Sequence, residues 1–384
     1  MSFFSTHKTL GILGGGQLGK MMLYTTRKWD IKTSVLDPSP DAPSKLACDY
    51  FEVGDFKDYN TVYDFGKKVD VLTFEIEHVN LEALKKLEKE GVRVYPSAAT
   101  LELIQNKSVQ KDFYVVNNIP TAAHQNFDNL EQLKAAVLSN QLNVPFVWKS
   151  ALMGYDGNGV NMVRDQKQID KLPNVACLAE LIVPFSHELA VIVCRSPSGE
   201  VVAYPTVEME FHPEANQVEY VLCPSRLNKR ITDKAQQVAL QVSESFKHVG
   251  LLAVELFLTE NEDILVNEVA PRPHNSGHLT IETSYTDQFE QHIRAILDLP
   301  LGNPENKVSG VMVNLVGAEN HSGAVHYEHM NTILAMPGVT PHIYGKKDTR
   351  PFRKMGHVTI VNKNLEEARK TAEMVKKTIQ VISK

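Results

Sequence analysis

Ile264-Leu265-Val266-Asn267-Glu268-Val269-Ala270-Pro271-Arg272-Pro273-His274-Asn275-Ser276-Gly277-His278 opens as an apolar run and closes as a Pro-punctuated polar tail. The run reads as a buried strand and the tail as the turn that ends it. Pro271 and Pro273 fix φ, so the polar groups of the tail are held on a stiff loop. Upstream, Leu251 to Leu258 is a second apolar run, broken by one charge, Glu255. A carboxylate inside such a strand is costly unless it is paired or binds a cation. Glu255 and Glu268 on neighbouring strands, with Asn267 beside them, make an oxygen-rich cluster suited to Mg²⁺ carrying nucleotide phosphates. The bland alternative is two edge-strand carboxylates facing water. The Pro-Arg-Pro-His-Asn-Ser-Gly-His tail counts against it.

At 384 residues the chain exceeds one ordinary core, so two or three subdomains are expected. With 43% hydrophobic and 22% charged residues it reads as a soluble globular protein. A net charge of −6 leaves no basic surplus for backbone phosphates, so no nucleic-acid partner is expected. Cys48, Cys177, Cys194 and Cys223 are isolated, which fits a reduced compartment and argues against a thiolate metal site. No apolar run approaches the ~18 residues of a membrane span. A cytoplasmic location without membrane association is therefore expected.

Thr9 to Leu13 reads as a buried parallel strand entering Gly14-Gly15-Gly16-Gln17-Leu18-Gly19, followed by helix to Lys28 and a second strand ending at Asp37. This βαβ unit, with its glycine turn and terminal acid, suits a dinucleotide. It equally suits another phosphate at a helix N-terminus, or a tight turn with no ligand. Val69 to Val79 reads as a strand whose period of two places Thr73, Glu75 and Glu77 on one face. There the carboxylates would face the ligand crevice, or else a solvated edge. Ser97 is expected to cap a helix running to about Asn117, with a domain boundary near its end.

Val144 to Lys149 reads as a strand with a terminal lysine, before the Gly-rich loop Gly154-Tyr155-Asp156-Gly157-Asn158-Gly159-Val160. Such loops expose backbone N–H groups to anions, though this spacing is not that of a P-loop. A hairpin turn with an incidental lysine is the plain alternative. Cys177 to Pro184 follows, apolar residues beside an acid at a junction, and suits an adenine pocket. Alternating strands from His187 to Leu222 and a helix from about Thr232 to Val249 lead to the two acidic strands. Near the C-terminus Lys346, Lys347, Arg350, Arg353 and Lys354 form a positive patch in an acidic chain. It reads as a solvated loop or as a site for a phosphate monoester. Leu365 to Val381 is expected to be an amphipathic helix.

Taken together, Gly14-Gly15-Gly16-Gln17-Leu18-Gly19-Lys20-Met21, Phe74-Glu75-Ile76-Glu77, the Gly154 loop, the Asn267 to His278 stretch and Arg353-Lys354-Met355-Gly356-His357 resemble one family in one order. This is the ATP-grasp superfamily and, within it, the N5-carboxyaminoimidazole ribonucleotide synthetases of purine biosynthesis. The resemblance spans nearly the whole chain. It implies an α/β and α+β ATP-grasp fold in three parts: a Rossmann-like pre-ATP-grasp domain over 1–118, a central lid over 119–184, and a C-terminal domain over 185–384. The last would carry the Mg-ATP site and a substrate-binding segment.

The resemblance also implies roles. Lys107 and Lys149 would meet the nucleotide phosphates under the loop Gly154, Tyr155, Asp156, Gly157, Asn158, Gly159 and Val160. Glu180, Leu181, Ile182 and Val183 would hold adenine, Glu188 the ribose, and His212 would lie near the nucleotide. Glu255 and Glu268 would bind Mg²⁺, with Mn²⁺ as the alternative ion, and Asn267 would lie beside them. Asp156, Arg272, His274 and Asn275 would serve catalysis. Gly16, Gln17, Leu18, Glu75, Glu77, Asp156, Lys346 and Arg353 would bind 5-aminoimidazole ribonucleotide. Two departures stand out: the residues before His212 differ from the commoner pattern, and Asn158 stands where relatives often carry Arg or Lys.

The implied reaction joins ATP, bicarbonate and 5-aminoimidazole ribonucleotide into the N5-carbamate, ADP and phosphate by way of carboxyphosphate. Asp156, Glu75 and Glu77 are candidate proton acceptors, and a homodimer is the implied assembly. A non-catalytic nucleotide sensor is disfavoured because both metal carboxylates are present, and two enzyme rivals remain at this point. One is a nicotinamide-dependent dehydrogenase resting on Gly14 to Gly19 and Asp37, which leaves the acidic strands unexplained. The other is a formate-dependent ribonucleotide transformylase sharing the ATP apparatus.

Overall fold

Apolar runs separated by amphipathic helices build a parallel sheet first. In the computed structural model, which describes residue 4 and residues 7–152, 159–212 and 217–384, this sheet has five strands. Their spatial order is Tyr50–Val53, Lys32–Asp37, Thr9–Leu13, Val71–Phe74 and Arg93–Val94, all parallel. The chain reverses its winding between Thr9–Leu13 and Val71–Phe74. Such a switch point opens a crevice at the C-terminal strand ends, where ligands bind in open α/β sheets. The glycine turn and the Glu75–Glu77 bend both sit at that crevice.

Two expectations change here. The strand anticipated over Val69 to Val79 ends at Phe74, so Glu75 and Glu77 lie on a bend beyond it. Gln105 Nε2 holds that bend by donating to the Glu77 and Val79 carbonyls at 2.7 and 3.3 Å. The helix anticipated from Ser97 to Asn117 is two helices, Ala98–Gln105 and Lys107–Val116. Asn106 divides them: its backbone is extended, and its side chain accepts from the N–H groups of Ser108 and Val109. An asparagine satisfies those otherwise orphaned donors better than continued helix does. The break points Lys107 into the cleft described below.

A four-stranded antiparallel sheet follows, in the order His124–Phe127, Cys177–Leu181, Phe146–Ser150 and Val160–Val163. The third sheet has nine strands. Its acidic edge is Ile264–Ala270 beside Gly250–Thr259, then Phe185–Arg195, Val207–Phe211 and Val218–Cys223. Gly310–Val316, Lys354–Val361 and Val339–Ile343 complete the path, and Val201–Ala203 pairs with Phe185–Arg195. The closing helix is Leu365–Thr378, after which Gln380–Ser383 turns back as a strand beside Gly323–Glu328.

The N-terminal sheet and the large sheet share a core. Phe289, Ile293 and Ile296 of the helix Gln288–Ile296 pack with Leu10, Ile12 and Met22. His292 on that helix joins both sheets: its Nε2 meets Thr73 Oγ1 at 3.0 Å, and its Nδ1 accepts from Leu251 N at 3.1 Å. Burial lowers its pKa to about 3, so the bridge is a neutral imidazole. Among the described residues no helix is long and apolar enough to cross a membrane.

Candidate active site

At the glycine turn, the N–H groups that a phosphate would use are already taken by the protein's own carboxylates. Glu75 Oε1 accepts from Gly16 N at 2.5 Å and Oε2 from Gly19 N at 2.7 Å. Asp37 Oδ2 accepts from Gly15 N at 2.7 Å. Gly14 has φ +93°, and a Cβ on it would come within 2.6 Å of Glu75 Cγ. Glycine is therefore required by the side chain that lies across the turn. Burial raises the pKa of Glu75 even though these N–H groups favour its charged form. A dinucleotide needs both the turn and the Asp37 carboxylate, so the dehydrogenase reading loses its two supports. Gln17 and Leu18 begin the helix Gln17–Lys28 behind the turn.

The two acidic strands meet as their pattern suggests. Glu255 and Glu268 are direct partners across the antiparallel pair. The register then jumps, with Leu256 opposite Val266, so Asn267 is an extra residue. A bulge of this kind re-aims a side chain that strict alternation would send to the other face. Here it lets Asn267 Oδ1 accept from Lys149 Nζ at 3.2 Å while Lys107 Nζ lies 2.9 Å from Glu268 Oε2. Lys107, foremost, holds the Glu268 carboxyl down to about 2. Burial raises Glu188 to about 7, with the charges of Glu255 and Glu268 adding to it. Among the described residues no group of three His, Cys, Asp or Glu side chains forms a metal cage.

Glu180 sits between two ammonium groups. Lys149 Nζ is 2.8 Å from its Oε2 and Lys111 Nζ 3.1 Å from its Oε1. Val147 pairs directly with Glu180, so Lys149, two residues on, is its diagonal neighbour on the same face. Leu181 and Ile182, next along the chain, are exposed apolar residues. Val183 is half-buried and follows them. Gly159 has φ +75° and precedes the strand Val160–Val163. Gly154, Tyr155, Asp156, Gly157 and Asn158 lie outside the described residues.

The 271–278 loop links this cleft to the glycine turn. Arg272 Nη2 lies 3.1 Å from Glu77 Oε1, and His274 Nε2 lies 3.1 Å from Glu255 Oε1. Gln288 clamps the loop from behind. Its Oε1 accepts from His274 N at 2.8 Å, and its Nε2 donates to the His274 carbonyl at 2.8 Å. Asn275 and Asn314 exchange two amide hydrogen bonds of 2.9 Å. His357, opposite Asn314 in the sheet, stacks on the His342 ring at 4.5 Å and meets the tilted His278 ring at 4.8 Å. Burial holds His278 and His357 well below the usual imidazole range.

The basic C-terminal loop folds onto the N-terminal sheet. Lys20 Nζ donates to the Ile343 carbonyl at 2.9 Å, and Lys347 pairs with Asp41 at 2.8 Å. Lys346 Nζ donates to the Lys354 carbonyl at 2.7 Å and Arg353 Nη1 to the Asp348 carbonyl at 2.5 Å. The Arg353 bond runs to a neutral oxygen, so it leaves that cation's charge in place. His212 ends the Val207–Phe211 strand region with its ring 6.3 Å from that of Phe352, so it lies against this loop.

Sequence reasoning gave no role to Lys20, Lys111, Gln288 or Asn314. Lys111 had a usable signal: it is four residues from Lys107, hence on the same helix face. Gln288 and Asn314 had none, because each meets the loop only through tertiary contact.

Three family models match successive parts of the chain. They are the ribonucleotide synthetase preATP-grasp domain over 7–105, the ATP-grasp domain over 112–289, and the phosphoribosylaminoimidazole carboxylase C-terminal domain over 310–371. The N5-carboxyaminoimidazole ribonucleotide synthase of Bacillus subtilis is 36% identical, covering 93% of this chain and 92% of its own. The phosphoribosylaminoimidazole carboxylase of Ogataea methanolica is 38% identical over 98% of this chain and 70% of its own. For the chloroplastic carboxylase of Vigna aconitifolia, also 38% identical over 93% of this chain, the share is 64%. The chain thus spans about two thirds of these longer relatives.

Among solved structures, the synthetase from Thermotoga maritima superposes with a TM-score of 0.90 at 40% identity, covering 98% of this chain and 100% of that one. The synthase from Aspergillus clavatus, in complex with ADP and 5-aminoimidazole ribonucleotide, gives 0.86 at 33%, covering 96% and 98%. The chain belongs to the N5-carboxyaminoimidazole ribonucleotide synthetase family of ATP-grasp proteins.

Proposed function

We propose that the chain is an ATP-dependent ligase that carboxylates 5-aminoimidazole ribonucleotide with bicarbonate, releasing ADP and phosphate, in purine biosynthesis. The observation that carries this reading is the 271–278 loop. Arg272 reaches Glu77 beside the glycine turn, and two residues on, His274 reaches Glu255 beside the lysines. One stiff loop thus reaches both the cleft of Lys107 and Lys149 and the crevice at the glycine turn, which suits a ligase joining two charged substrates.

Bicarbonate is a poor electrophile until an oxygen is phosphorylated. Lys107 and Lys149 would neutralise the γ-phosphoryl group during that transfer, which is mainly positioning and electrostatics. Glu255 and Glu268 fit a divalent cation, since they are carboxylates directly opposite on paired strands, held by His274 and Lys107 in the ligand-free protein. With only two such carboxylates, the remaining oxygens would come from phosphate and water, the pattern usual for Mg²⁺. Mg²⁺ bound there would offset charge on the phosphates.

Carboxyphosphate hydrolyses readily, so the 154–160 loop is assigned to exclude water. The exocyclic amine of the ribonucleotide then takes the carboxyl group and loses a proton. Both oxygens of Glu75 are engaged by N–H groups, so Glu77 or Asp156 is the better acceptor. Lys346 and Arg353 are assigned to the 5′-phosphate of the ribonucleotide. Family resemblance supports a homodimer in the cytoplasm.

ADP release by the purified chain should require bicarbonate and 5-aminoimidazole ribonucleotide together. Formate should not replace bicarbonate. Release that proceeds fully without the ribonucleotide, or that runs with formate, would remove this reading.

A further inference from the structure

We propose that Lys111 is a positioning residue that frees Lys149 for the nucleotide phosphates by remaining as the counter-ion of Glu180. The proposal rests on the nucleotide assignment above and adds a residue to it. Glu180 is buried, with 4% of its surface exposed, and each oxygen has its own ammonium partner. The two lysines are not equivalent. Lys111, at 2% exposed, also donates to Thr121 Oγ1 at 2.6 Å, and Thr121 Oγ1 donates to the Val266 carbonyl at 2.8 Å. That chain of bonds ties Lys111 to the backbone of the acidic strand, on the inner side of the cleft. Lys149 instead shares itself between Glu180 and the bulged Asn267, next to Lys107 and Glu268.

A buried carboxylate without a counter-ion is strongly unfavourable. If Lys149 were the sole partner of Glu180, turning it toward a phosphate would strand that charge. Nucleotide binding would then carry the cost of the stranded carboxylate. With Lys111 fixed in place, Glu180 stays ionised and still while Lys149 moves. Burial, foremost, lowers Lys111 to about 8 while Glu180 opposes that fall, so its charge is held by this one carboxylate. Lys111 does not touch the nucleotide in this scheme.

The test is a double-mutant cycle on ADP affinity, read by calorimetry for the wild type, Lys111→Met, Glu180→Gln and the double variant. Lys111→Met should weaken ADP about 10- to 100-fold, the size of one hydrogen bond to a charged group. Glu180→Gln removes the charge that Lys111 serves, so adding Lys111→Met to it should change affinity by no more than about threefold. Lys111→Arg should recover much of the loss, and KM for the ribonucleotide should stay within about threefold throughout.

Wild-type affinity in Lys111→Met would overturn the proposal, and so would losses that simply multiply in the double variant. If Lys111→Met does not fold, comparing Glu180→Gln with the double variant still decides, because a further large loss contradicts the scheme. A wild-type chain that binds no ADP would instead overturn the nucleotide assignment, and this proposal with it.

Discussion

Glu268→Gln is expected to fold as the wild type does and to lose more than about 100-fold in ATP turnover, a barrier increase of about 2.7 kcal/mol. The substitution keeps the shape of the side chain and removes its charge. That charge is secure in the ligand-free protein, because Lys107 foremost holds the carboxyl at about 2. Lys107 is not stranded by the change, since it lies at the cleft surface with 16% of its side chain exposed. Some stability should be lost with the Lys107 pairing, because a carboxyl held that low is one whose charge the fold stabilises, and thermal melting checks that the variant is still folded at the assay temperature. Catalysis should suffer because Glu268 pairs across the strands with Glu255, and one carboxylate would hold a divalent cation poorly. A folded variant with near-normal ATP turnover would sink the assignment of Glu268 to the metal.

Arg353→Ala is expected to raise KM for the ribonucleotide about 10- to 150-fold, the equivalent of about 1.5–3 kcal/mol for a hydrogen bond to a charged group. KM for ATP should move by no more than about threefold. The loop carrying Arg353 reaches the glycine-turn side through Lys20 and Lys347, away from the Lys107 and Lys149 cluster. Arg353 itself donates to the neutral Asp348 carbonyl, and its planar fork can still meet a phosphate. Lys346 would add a point charge. Equal losses for both substrates would make the loop structural, and a loss for ATP alone would move the patch to the nucleotide.

How far these sites were legible in the sequence depended on whether local pattern or long-range contact set them. The βαβ unit and the two acidic strands follow from periodicity and punctuation. The pairing of Glu255 with Glu268 was readable because a charge in an apolar strand demands a partner. The bulge at Asn267 was not, since alternation gives no sign of an inserted residue. The carboxylates at Glu75 and Glu77 were visible, but they were placed on a strand that in fact stops at Phe74. Only the meeting of that bend with the glycine turn explains why the turn needs glycines. The spacing of Lys111 from Lys107 puts both on one helix face but does not reveal Glu180 as its partner, and no local spacing announces the grip of Gln288 on His274.

The most direct test follows one oxygen atom. Supplying ¹⁸O-labelled bicarbonate with ATP and 5-aminoimidazole ribonucleotide, and weighing the phosphate before the label exchanges with water, reads whether bicarbonate itself is phosphorylated. If carboxyphosphate forms, the bicarbonate oxygen that attacked the γ-phosphoryl group leaves with it. Each phosphate should then carry one labelled oxygen, in step with the ADP and N5-carbamate formed. Unlabelled phosphate accompanying full product formation would contradict carboxyphosphate as the route.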